Sequence, residues 1–120
     1  LRVATGLAGA LMITACASTP APTARLQAAE QAIAAAQAAD ASRHAAAELG
    51  EAQARLASAN TAVQAEEMES AARLADESRV EAELATARTA AVKARMVNDE
   101  MKRSTGTLID EMQRNTGEPK

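Results

Sequence analysis

The sequence predicts an all-α protein, an alanine-rich helical hairpin or three-helix coiled-coil arrangement with a long C-terminal helix. Three observations carry this expectation. First, apolar residues make up 48% of the 120, most of them alanine, and there is no Phe, Tyr or Trp. A core of ordinary density needs large side chains to fill it. Alanine lets two helices approach closely but buries little area, at roughly 25 cal/mol per Å². Second, Ala, Glu, Gln, Arg, Leu and Met dominate, and these are strong helix formers, whereas the strand formers Val and Ile are few and scattered. Third, apolar residues recur along the chain at spacings of 3 and 4, the helical period. Such a composition with that period points to coiled coil or long helices.

The N-terminal segment reads differently. Arg2 supplies a short positive region, and residues 3–15 form an uncharged run. That length suits the apolar region of a signal peptide and falls short of the roughly 20 residues of a spanning helix. Ile13-Thr14-Ala15-Cys16 follows, an aliphatic residue and two small ones before the only cysteine. This resembles the lipobox of bacterial lipoproteins, which implies cleavage after residue 15 and lipidation of the Cys16 thiol, a membrane anchor. Removing residues 1–15 takes the net charge from −3 to −4 by loss of Arg2. Residues 16–23 carry Pro20 and Pro22 among small residues and read as a flexible tether. Ala17 stands where an Asp would resemble an inner-membrane retention signal, so the outer membrane is expected, with the chain facing the periplasm.

Residues 24–114 are expected to form the helical domain. Thr23 is the expected N-cap of the first helix. Leu26, Ala29, Ile33 and Ala36 make its stripe, and it should end near Asp40-Ala41-Ser42. The second helix should start between residues 42 and 45, with Leu49, Ala52, Leu56, Ala59 and Val63 as its stripe and Gly50 off it. Its end is expected near Asn60-Thr61, with Val63 able to extend it. The third should begin near Glu66. Its first half carries Met68, Ala72, Ala75 and Ala82, with Leu74 and Val80 on a neighbouring face. Its second half carries a heptad seam of Leu84, Ala87, Ala91, Ala94, Asn98, Met101, Thr105, Leu108 and Met112. Gly106 lies off the seam and is a candidate kink. At about 1.5 Å per residue the third helix would span roughly 70 Å and the first two roughly 25 Å each. The seam from about Ala91 onward therefore needs another partner, a second copy or a partner helix. Asn98 holds a core position of the seam, where a buried Asn fixes register and oligomer state; a weak, partly wet seam is the plainer account. Glu83 and Arg88, five apart at flanking positions, suit an interhelical pair or simply a solvated charged face. Residues 115–120 are expected to be a disordered tail.

Sites for chemistry are not expected. His44 is the only histidine, and no triad or zinc set accompanies it. Carboxylates are plentiful, but acid–base work needs a pocket that shifts their pKa, and an alanine-rich hairpin offers little. No Gly-rich phosphate loop is present. Charges of both signs are interspersed without a basic block, which argues against nucleic acid. The expectation is a non-enzyme without catalytic, cofactor or metal residues.

Residues 16–23, Cys-Ala-Ser-Thr-Pro-Ala-Pro-Thr, then Leu26-Gln27-Ala28-Ala29-Glu30-Gln31-Ala32-Ile33, the stretch through Leu56-Ala57-Ser58-Ala59 and the run from Ala72-Arg73-Leu74-Ala75 to Glu83-Leu84-Ala85 resemble the bacterial lipoprotein family of domain of unknown function 4398. That resemblance implies a periplasm-facing envelope lipoprotein without catalytic residues. The family's Gly-Asp-Tyr-like turn between the last two helices is replaced by Val63-Gln64-Ala65-Glu66-Glu67. A second resemblance is to murein lipoprotein, an alanine-rich helical lipoprotein whose terminal lysine is joined to peptidoglycan. Lys120 matches it by position, though Pro119 precedes it. A structural or adaptor lipoprotein is thus the leading expectation. A peptidoglycan-tethered spacer linked through Lys120 and a free periplasmic chaperone-like protein are the alternatives. The last is disfavoured by the lack of a large exposed apolar patch on alanine faces.

Overall fold

The structure is a computed structural model that describes residues 19–117. Four helices follow in order, α1 (Thr23–Ala38), α2 (Ala41–His44), α3 (Ala46–Gln64) and α4 (Met68–Asn115), with no strand among the described residues. The all-α expectation and the long last helix are both realised.

Pro22, and not Thr23, stands at the N-cap of α1. Its carbonyl accepts from the backbone N–H groups of Arg25 and Leu26. Proline lacks the N–H that the start of a helix leaves unpaired in any case. Thr23 is already helical, and its hydroxyl donates back to the Ala21 carbonyl at 3.3 Å. The α1 stripe is as expected, with Ala29, Ile33 and Ala36 buried and Leu26 half-buried. Asp40, at φ 70°, turns the chain into α2, a single turn. Ala45 leaves helical geometry at φ −148° while its carbonyl still accepts from Leu49, and α3 starts at once. The expected second helix is therefore α2 and α3 with a one-residue break. It runs past Asn60-Thr61 to Gln64, burying Leu49, Ala52, Ala59 and Ala62.

The turn into α4 is a Schellman motif. Glu66 adopts a left-handed φ of 60°, its N–H donates to Val63, and the Glu67 N–H donates to Ala62. From Met68, α4 then runs unbroken for 48 residues, through Gly106 without interruption.

Ion pairs between elements fix their directions. Arg25 meets Asp76, and Lys93 reaches Asp40 at 2.7 Å, so α1 runs parallel to α4. Glu48 meets Arg88, and Arg55 meets Glu77 at 2.7 Å, so α3 runs antiparallel. The core between them is built almost wholly of alanine, with Ile33 and Leu49 as its large members. Small side chains let the three backbones approach closely, and stability comes from many short dispersion contacts.

Candidate functional site: the open face of the long helix

The buried row of α4 consists of Ala71, Ala75, Ser78, Ala82, Ala85 and Thr89, at spacings of 4 and 3. Val92 continues it, half-buried. Ser78 sits deep in the α3 contact, where its hydroxyl donates to the Ala52 carbonyl at 2.7 Å. The hairpin ends beside Lys93, whose ammonium donates to the Ala39 carbonyl at 2.8 Å and to Asp40. That hydrogen bond, reinforced by the lysine charge, holds the Asp40 carboxyl below its ordinary value of 3.8. The Glu77 carboxyl is likewise lowered, chiefly by the hydrogen bond from Arg73 and against some desolvation, with Arg55 adding to it.

Past Lys93 nothing in the described chain covers α4. Residues 94–115, roughly 33 Å of helix at about 1.5 Å per residue, are exposed throughout. The sequence seam runs from Leu84 into this segment, on the face opposite the buried row. At about 100° per residue, Leu84, Ala91 and Asn98 point about half a turn away from Ala82, Ala85 and Thr89. Leu84 and Ala87, expected to lie under the hairpin, are exposed with the rest of the seam: Ala91, Ala94, Asn98, Met101, Thr105, Leu108 and Met112. Met101, Leu108 and Met112 are each more than 60% exposed, and Val97 and Ile109 flank the same face. The hairpin side of the projecting segment, by contrast, presents Glu100, Arg103, Thr107 and Arg114 after Met96. The apolar face of α4 thus changes sides where the hairpin stops. This candidate site is a helical surface, and what it can do chemically is bury apolar area against another helix.

Elsewhere the described residues offer little for chemistry. One surface hollow is lined by Arg25, Arg55, Asp76, Glu77 and Val80 among others, and these four charged side chains are tied in ion pairs. His44 closes α2 and is half-buried there. No group of three or more His, Cys, Asp or Glu able to hold a metal occurs among the described residues. No described helix is long and apolar enough to cross a membrane. Glu83 pairs along its own helix with Arg79, and Arg88 with Glu48. Cys16 and Lys120, the expected lipid and peptidoglycan attachment points, lie outside the described residues, as does part of each expected terminal segment.

Sequence reasoning found Ala75 and Ala82 of the buried row and missed its other four members. Ser78 and Thr89 are polar, and Ala71 and Ala85 are indistinguishable by type from exposed alanines. A signal was present in the unbroken 4,3 spacing from Ala71 to Thr89, but the larger residues of the opposite face masked it.

Residues 24–101 match the family model described as Domain of unknown function (DUF4398). No curated protein and no solved structure matches the chain.

Proposed function

This chain belongs to the family of the domain of unknown function DUF4398, and from that membership we propose that it is a lipid-anchored lipoprotein of the bacterial envelope. In this reading it faces the periplasm from the outer membrane and serves a non-catalytic, structural or adaptor role through helix–helix contact. The observation that carries the reading is the lipobox Ile13-Thr14-Ala15-Cys16, placed behind an uncharged run and ahead of a proline-containing tether. The fold supports it. Pro22 and Arg25 border Glu66, Glu67 and Met68 at one end of the hairpin, so the tether enters beside the start of α4. The open segment of α4 leaves from the other end. An anchor at Cys16 would hold the hairpin near the bilayer and present residues 94–115 away from it, α4 reaching roughly 70 Å in all. The several acyl chains of a modified cysteine would make such anchoring stable.

Intact mass spectrometry of membrane-fractionated protein, wild type against Cys16→Ser, tests this. The expected wild-type species begins at Cys16 and carries acyl mass, and the variant lacks it. A soluble, unacylated wild-type species would refute the anchor and favour the free periplasmic alternative.

A further inference from the structure

We propose that the open row of α4 pairs with the same row of a second copy of this chain, parallel and in register. This names the partner for the helix–helix role proposed above and rests on that role, but not on the lipid anchor. In proteins most helical stability comes from packing an apolar face and not from propensity. The segment beyond Lys93 includes Gly106 and several Thr residues, which are weaker helix formers than alanine. Nothing else in the described chain covers it.

Flanking charge selects the occupant and its direction. In a parallel, in-register pair each member of the row meets its own counterpart, and a residue on one flank meets the residue five further along on the second copy. Glu83 then faces Arg88 of the second copy, an attractive pair. Val97 faces Lys102 of the second copy, and Ala90 faces Arg95, so no like charges meet. An antiparallel pair centred on Asn98 would instead set Arg95 of each copy against Lys102 of the other, two like-charge contacts. Arg88 already reaches Glu48 in its own chain, and the five N–H donors of a guanidinium serve both carboxylates. Asn98 meets Asn98 of the second copy. Its amide both donates and accepts, so the pair satisfies itself in this register and is left unsatisfied by a slip. Copies anchored through their N-terminal ends in one leaflet would also lie parallel, but the charge argument holds without an anchor.

Single cysteines at Ala94 and Leu108 of the full-length chain test this in whole cells, with Arg103→Cys on the opposite face as control and Cys16→Ser as a second background. All three positions are exposed, so folding of the hairpin is not at stake. A disulfide needs Cβ atoms within about 4.5 Å, so only the parallel, in-register pair joins each position to itself. Under a mild oxidant, intact mass should show disulfide dimers for both Ala94→Cys and Leu108→Cys, roughly tenfold above the control. Monomer at both positions, or disulfides to a different polypeptide, overturns the proposal. A crossed disulfide only when two variants are mixed overturns the parallel direction. Loss of acyl mass with dimers retained refutes the anchor alone.

Discussion

Ser78 and Thr89 are two buried hydroxyls in one alanine row, and they make opposite predictions. Ser78 donates to the Ala52 carbonyl at 2.7 Å across the α3–α4 contact. Ser78→Ala should lower stability by about 1 kcal/mol, the usual worth of one such bond. Thr89 is 1% exposed, and its hydroxyl finds no partner among the described residues. Thr89→Val keeps the shape and removes the buried polar atom, so it should leave stability unchanged or raise it by up to about 1 kcal/mol. Urea unfolding of the two variants beside wild type checks both. Asp40 makes a prediction about pH. Its folded-state pKa is depressed by Lys93, so its contribution is present above the unfolded-state value and is lost as pH falls through the folded one. Stability followed from pH 7 downward should decline in the acid range at and below the ordinary carboxylate value of 3.8. Asp40→Asn should make that decline shallower.

At the scale of elements, α1 and α3 were largely legible in the sequence, because Ile33, Leu49 and their alanine neighbours form stripes that hydropathy can see. The family resemblance was legible too, through the alanine-rich helices of residues 24–101, the stretch that matches the family. The start, the length and the open seam of α4 were also readable. Of its buried row only Ala75 and Ala82 were. Alanine, serine and threonine pack there because they are small, and their burial leaves no hydropathy contrast, whereas Leu84, Met101 and Leu108 do leave one and are exposed. The exposed row from Leu84 to Met112 was thus legible as a row of residues, but most of the hairpin side of α4 was not. The break at Ala45 also escaped notice, since one residue leaving helical geometry within an alanine run carries no compositional mark. Gly106 illustrates the reverse case, a residue that suggests a kink and makes none. A Cβ added at Gly106 meets nothing within 4 Å. Gly106→Ala should therefore stabilise the projecting helix by up to about 1 kcal/mol. Circular dichroism should show a gain in helicity with no loss of hairpin stability.

For the molecule as a whole, α4 serves two purposes on two faces. Its first half is held by the hairpin through a row of small residues, and its second half carries its apolar residues on the other side, free of the hairpin. In the proposed envelope setting, one end of the hairpin sits by the tether and the open face reaches outward to another helix. The measurement that tests this most directly is residue-resolved hydrogen exchange on the full-length protein as isolated from cells, wild type against Leu108→Glu. Backbone amides of α4 from 71 to 92 should be strongly protected in both, because the hairpin covers them. Amides from 94 to 115 should be protected in wild type, through the open row, and should exchange markedly faster in Leu108→Glu, which places a charge in that row. Equal protection of residues 94–115 in the two proteins would contradict the account, because the helix would then be held by something other than that face.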